Sequence, residues 1–231
     1  MKHDKTTHDF STDSLYDRYT VALKFRHRLY GGVPKNPDLL AGWIAARTEH
    51  NDKQTADQVE VAKAALGEAP DNMTVEKSWV GFFADDVGGL WTAANNIKAM
   101  LKQSASMLGI LKKKRGSKQI VCEGMEVKGI DDPMRIYLDA VEPDGYEERP
   151  IHVQTAQGPR TAIKRVDYVQ DKTMAFQIWV LKTAPAETRH IGETEIVAML
   201  RFSQENGLGG DRSQGGGKFD VIEFAKIAED K

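Results

Sequence analysis

Residues 193–224, ETEIVAMLRFSQENGLGGDRSQGGGKFDVIEF, carry three patterns in succession. In the first, Ile196, Val197, Leu200 and Phe202 recur near helical spacing, which predicts a helix over about Glu193–Glu205 with those side chains facing a core. The second holds six glycines in eleven residues, namely Gly207, Gly209, Gly210, Gly215, Gly216 and Gly217. The third, KFDVIEF, predicts a closing strand through Phe219, Val221 and Ile222. Glycines admit positive φ and close approach, so successive backbone N–H groups can converge on one concavity and cradle an anion. Arg212 and Lys218 add positive charge there and Ser213 adds a hydroxyl. The loop leaves the C-terminal end of a helix, whose dipole opposes anions, so any phosphate affinity must come from the amides and the cations. The plainer reading is that Gly207 caps the helix and the remainder is a surface turn. No GxxxxGK[ST] is present, and the dinucleotide fingerprint GxGxxG opens a helix after a strand, the reverse of this order.

Working outward, TMAFQIWVL (173–181) alternates with Met174, Phe176, Ile178 and Val180 on one side, the period of a half-buried strand. TVALKF does the same through Val21, Leu23 and Phe25, with structure expected from Tyr19. A helix is predicted from Ala93, with Ile97, Met100, Leu101, Met107, Leu108 and Leu111 inward and Lys98 and Lys102 one turn apart on another face. Shorter strands are expected around QIVCEGMEV and MRIYLDA, and SWVGFF reads as a buried strand or packed loop. Helices are expected after Pro37 and over Ala56–Leu66. Residues 142–165 are polar with turns at PDG and GPR, so an extended loop or hairpin is expected, and residues 1–14 read as a disordered tail. Strands and helices in this mixed order give an α+β chain.

The 231 residues are 40% hydrophobic and 29% charged, which suits one folded unit, and the formal net charge of −2 excludes a protein that coats nucleic acid by bulk charge. Positive charge is instead local: Lys112, Lys113, Lys114, Arg115 and Lys118; Arg26, His27 and Arg28; and Arg160, Lys164 and Arg165. Such runs are solvated faces more often than sites when each stands alone. No apolar run is long enough to span a bilayer and the start of the chain is polar, so no membrane partner and a cytoplasmic location are expected. Cys122 is the single cysteine, which excludes an intrachain disulfide and a zinc site of several thiolates. No cofactor or metal set is expected. His3, His8, His152 and His190 show no ligand spacing.

The order strand, insertion, helix bearing NNIKAMLK, strand MRIYLDA, polar excursion, strand TMAFQIWVL, helix, then GLGGDRSQGGGKFDV resembles the RAMP superfamily, and within it the backbone subunits of CRISPR effector complexes. The loop form GxGGxRSxGxG is matched by Gly207, Gly209, Gly210, Arg212, Ser213, Gly215 and Gly217. A signature on the first helix is matched by Ile97, Lys98 and Lys102, with Ala99 standing where the family has glycine. The resemblance runs over about residues 19–224. It implies a ferredoxin-like, RRM-type antiparallel sheet with helices on one face, a single domain over 15–231, an inserted helical region at about 31–90 and a thumb-like hairpin at 142–165. It also implies an RNA-binding subunit that multimerises head to tail along a guide RNA beside other effector subunits, with single-stranded DNA as another ligand. Phosphates would meet Lys98, Lys102, Arg160, Lys164, Arg165, Arg212 and Lys218.

Two other readings stand beside this one. Some members cut RNA with an aspartate after the first strand; Asp38 is the acid there, at a helix start where a carboxylate is ordinary stabilisation, and Asp85 with Asp86 is a second candidate pair for a metal. The other is a phage-encoded protein that binds single strands or mimics an effector subunit, in which Arg212 would be dispensable. Trp43, Trp79, Trp91 and Trp179 could stack on bases, though core packing is the commoner use, and Trp179 is out of phase with Phe176 and Ile178.

Overall fold

The computed structural model describes residues 15–36, 40, 77–86, 89–110, 124–155, 158–182 and 191–228. The central sheet uses β1 (Tyr16–Phe25), β7 (Met125–Gly129), β11 (Thr173–Leu181) and β12 (Phe219–Lys226) in the spatial order β12-β1-β11-β7, every pair antiparallel. Helices α1 (Ala94–Met107) and α2 (Glu193–Asn206) precede β7 and β12. Taken as βαββαβ, the strands lie 4-1-3-2, which is the ferredoxin-like arrangement, and the fold is α+β.

Alternation decides which face is covered. Val21, Leu23 and Phe25 are fully buried on β1, and β11 alternates without a break, with Met174, Phe176, Ile178 and Val180 inward. Register brings Val21 beside Phe176, Leu23 beside Met174 and Ile178 beside Val127. Onto this face α1 lays Ile97, Met100, Leu101 and Ala105, while α2 lays Ile196, Met199 and Leu200, so both helices share one core with the sheet. Where the helices meet, the fully buried Ser104 and Ser203 hydroxyls lie 2.8 Å apart; one donates to the other, and the accepting hydroxyl donates its own proton to the carbonyl four residues earlier in its helix. That pairing satisfies two polar groups that would otherwise be costly to bury.

Several expectations shift in detail. The inward stripe of α2 is Ile196, Met199, Leu200 and Ser203; Val197 and Phe202 flank it half-buried, because only the former set keeps the 3.6-residue period. Met107 and Leu108 are 68% and 43% exposed, since α1 stops there and Gly109, at φ +61°, turns the chain away. A bulge opposite Ala22 and Leu23 leaves Ile222 unpaired and 56% exposed while Phe219 stays buried. MRIYLDA is not the second central strand. Met125 and Val127 occupy that place beside Val180 and Ile178, and β8 (Arg135–Tyr137) instead joins a three-stranded sheet with β5 (Phe83–Asp85) and β6 (Gly89–Ala93).

The described part of the first insertion is mostly strand: after β2 (Arg28–Tyr30) come β3 (Val33–Pro34), β4 (Lys77–Gly81), β5 and β6. Of the helix expected after Pro37 only Leu40 is described, helical, with its amide 2.8 Å from the Asn36 carbonyl; the helix expected over 56–66 lies outside the described residues. The hairpin expected at 142–165 forms from β9 (Gly145–Thr155) and β10 (Gly158–Gln170), and it runs past Arg165. It does not stand alone: β9 lines one edge of β10, whereas the other edge takes β4 in parallel and β2 antiparallel, giving a five-stranded sheet. Leu29 and Val169, paired across β2 and β10, sink into the main core and bolt this sheet to the central one. No described helix is long and apolar enough to cross a membrane.

Candidate nucleic-acid interface

The glycine loop begins where α2 ends. Gly207 takes φ +76° and returns its amide to the Ser203 carbonyl at 2.8 Å, a helix cap. Beyond it the loop folds back on β2: the Gly210 amide donates to the Tyr30 carbonyl at 3.0 Å, and the Gly217 amide to the Arg28 carbonyl at 2.9 Å. Asp211, at φ +50°, starts a single 3-10 turn over Arg212–Gln214, and its carbonyl accepts from Gln214 and Gly216 at 2.9 and 3.3 Å. Gly215 donates to Arg212 at 3.0 Å. Five of the six glycine amides are thus spent within the fold, which corrects the expectation of a row of donors pointing at one anion. The glycines are required by proximity instead. At Gly217 a methyl group would overlap the Leu208 carbonyl, and at Gly216 it would lie 2.6 Å from the Tyr30 ring.

This leaves a loop with a buried base, formed by Gly207, Gly216 and Gly217, and an exposed rim of Gly209, Ser213 and Gly215. Between the rim and α1 lies a groove of about 260 Å³, walled by Asn96, Ala99 and Gln103 on the helix and by Gly209 and Arg212 on the loop, with Gly32 beneath. Positions 96, 99 and 103 share one helix face, so the groove follows the helix axis. Ala99, exposed, keeps that wall low. Gln103 Oε1 accepts from Arg212 Nη1 at 2.8 Å, which ties the guanidinium to the opposite wall of the groove. Among the described residues neither Arg212 nor Lys102, the neighbour of Gln103, is paired with a carboxylate. Lys98 lies one turn before Lys102 on the same helix.

The other expected cations are distributed differently. Lys164 and Arg165 are adjacent on β10 and therefore point to opposite faces. Lys164 turns to the loop, where its Nζ meets Asp211 Oδ1 at 3.0 Å. Arg165 turns away and is stacked between Tyr146 and Trp79, its guanidinium carbon 3.4 and 4.1 Å from the ring centroids, with Nε buried and unpartnered. Arg160 pairs with Val153 in the hairpin, and its side chain lies outside the described residues. Lys218 binds Glu205 at 3.1 Å, a carboxylate already shared with Arg26. Trp179 faces the sheet side without helices, with Lys128 Nζ 3.6 Å from its ring centroid. Asp38, Cys122, the run Lys112–Lys118, His3, His8, His190 and Trp43 all lie outside the described residues. Asp85 is engaged by Arg135 Nη1 at 2.7 Å and by the Tyr137 hydroxyl at 2.9 Å, which removes it from an open carboxylate pair with Asp86. Among the described residues no group of three or more His, Cys, Asp or Glu is arranged to hold a metal.

Sequence reasoning missed the residues that tie loop to hairpin. Arg149 on β9 donates to the Tyr30 hydroxyl at 2.9 Å, to Gln214 Oε1 at 2.6 Å and to Asp211 Oδ2 at 3.3 Å, and it also pairs with Glu147. Glu147 further accepts from Arg28 and, at 3.1 Å, from Tyr30. Burial pushes the Glu147 carboxyl upward, yet the hydrogen bonds from Arg149, Tyr30 and Arg28 win and hold it below the ordinary glutamate value. The alternation of Glu147 and Arg149 within YEERPIHV was the available signal, a polar face at strand period.

No family model and no curated protein matches the chain. Among solved structures it is similar to a chain in the cryo-EM structure of the Type III-B Cmr-beta bound to cognate target RNA, at 15% identity and a TM-score of 0.49. The match covers 94% of this chain and 62% of the other, so this chain spans under two thirds of that chain's length.

Proposed function

We propose that this chain binds the backbone of a single-stranded nucleic acid, RNA foremost, in the groove between α1 and the glycine loop. The observation that carries the reading is the placement of Arg212, a cation without a carboxylate partner among the described residues, on the groove beside an exposed rim of glycine and serine, with Lys102, also without one, next in the chain to the groove residue Gln103. In a chain of net charge −2, where Glu205 neutralises Lys218 and Asp211 neutralises Lys164, unneutralised positive charge on a groove is what a polyanion would find. Main-chain and cationic contacts of this kind position a strand without reading its sequence. The match of the loop to GxGGxRSxGxG supports the finer role, a non-catalytic backbone subunit that stacks on copies of itself along a guide RNA with other effector subunits. In that assembly Lys98 would continue the cationic line along α1, and Arg160 would meet the strand from the hairpin.

The test is fluorescence anisotropy of labelled oligouridylate across a salt series. Arg212→Gln and Lys102→Gln should each lower the slope of log affinity against log salt by about 0.7. Absence of binding by the parent protein at low salt, or undiminished affinity in Arg212→Glu, refutes the reading.

A further inference from the structure

Asp211 stands in a place where a phosphate-binding loop has no evident use for an acid. Its carboxylate is a fork held by two cations, with Oδ1 3.0 Å from Lys164 Nζ and Oδ2 3.3 Å from Arg149 Nη1. The three side chains are 15%, 25% and 23% exposed, so the cluster sits just under the surface, one residue from Arg212 and the groove. We propose that Lys164 and Arg149 form a second phosphodiester site whose seat is occupied, in the free chain, by the Asp211 carboxylate.

Three features support this, and all rest on the nucleic-acid reading above. The two non-bridging oxygens of a phosphodiester present the same bidentate fork as a carboxylate, so one can replace the other on Lys164 and Arg149 without moving either cation. The loop need not unfold for the exchange. Its backbone is fixed at Asp211 by the bonds from Gln214 and Gly216 to the Asp211 carbonyl, and only the side chain must rotate outward. Finally, the hairpin cations are held from behind: Arg149 keeps Tyr30 and Glu147 whether or not Asp211 is present. A strand lying in the groove against Arg212 would meet this seat as it crosses the loop tip. Asp211 thereby sets a threshold, since only a polyanion already anchored at Arg212 competes well with an intramolecular carboxylate.

Under the purely structural alternative, in which Asp211 only fastens loop to hairpin, Lys164 meets no phosphate and Lys164→Gln leaves the salt slope unchanged. The full chain is titrated with labelled oligouridylate as Asp211→Asn, Lys164→Gln and the double variant, with circular dichroism and thermal melting on each. Asp211→Asn should bind about three- to tenfold more tightly, because the competing ion pair is gone. Lys164→Gln, which keeps the bulk of the side chain, should lower the salt slope by about 0.7 in both backgrounds. Unchanged or weaker binding by a natively folded Asp211→Asn overturns the proposal. An unchanged salt slope in Lys164→Gln overturns it even if Asp211→Asn does not fold. If those two variants are silent while Arg212→Gln loses slope, the second seat alone is refuted; if the parent protein binds nothing, the groove reading falls with it.

Discussion

Replacing Gly217 and Gly215 separately by alanine distinguishes two reasons for a glycine-rich loop. Both residues have positive φ, +70° and +84°, so each alanine carries the left-handed penalty of about 1–2 kcal/mol. Their surroundings differ. A methyl group at 215 meets nothing within 4 Å, whereas at 217 it overlaps the Leu208 carbonyl, a backbone atom that cannot swing aside. Relief requires separating residues 208 and 217, which strains the Leu208 amide bond to the Gly217 carbonyl at 3.0 Å and the Gly217 amide bond to Arg28 at 2.9 Å. At about 1 kcal/mol for each weakened bond, Gly217→Ala should cost about 3–4 kcal/mol in total against about 1–2 for Gly215→Ala. Urea unfolding followed by tryptophan fluorescence, with slopes checked for constancy, measures both. Equal costs would refute the claim that Gly217 is required by its close approach to the Leu208 backbone. Gly215 sits on the exposed rim, so weakened RNA binding by a stable Gly215→Ala would instead show that this glycine serves ligand approach.

Other expectations follow from the core and the ion network. Phe176→Ala, at a fully buried position in the core that the sheet shares with both helices, should cost about 3–5 kcal/mol in the same assay. Ser104→Ala and Ser203→Ala should be non-additive in a double-mutant cycle by about 0.5–1 kcal/mol, since either single change leaves a buried hydroxyl without its cross-helix partner. Glu147 titrates below its ordinary value when folded, so its stabilisation is complete above the unfolded value of about 4.3 and is lost as pH falls through the lower folded value. Glu147→Gln should therefore flatten the acid limb of stability against pH below that point, and an unchanged limb would contradict the Arg149 and Tyr30 bonds.

The fold was legible wherever one face of an element is wet and the other dry. Strand β11 could be read from TMAFQIWVL alone because every second residue is apolar, and the same holds for β1. Which of QIVCEGMEV and MRIYLDA joins the central sheet is not legible locally, because a three-residue strand and a five-residue strand carry equally brief patterns; partner choice between Met125–Gly129 and Arg135–Tyr137 is settled by side chains a long way off in sequence, at Ile178 and Val180. The parallel pairing of β4 with β10 had no local signature, since pairing across more than eighty residues leaves no trace in either segment's own periodicity. The bulge at Ile222 likewise depends on what faces it on β1.

The candidate site shows the same division between what a residue is and what it touches. Glycine frequency identified the loop, and Arg212 with it, but composition cannot say whether a bare amide faces solvent or a neighbouring carbonyl; here Tyr30 and Arg28 take two of those amides, and both come from a strand nearly two hundred residues earlier. Counting cations by segment grouped Lys164 with Arg165, although strand geometry alone sends adjacent side chains to opposite faces, one to Asp211 and the other between Tyr146 and Trp79. The acids matter for a related reason. The charge a polyanion meets is what remains after internal neutralisation of lysine and arginine. Asp211 and Glu205 cancel Lys164 and Lys218, leaving Arg212 as the cation on the groove wall. An acid inside a basic loop is therefore as informative as the bases around it, because the cation it cancels is one a polyanion meets only after the ion pair opens.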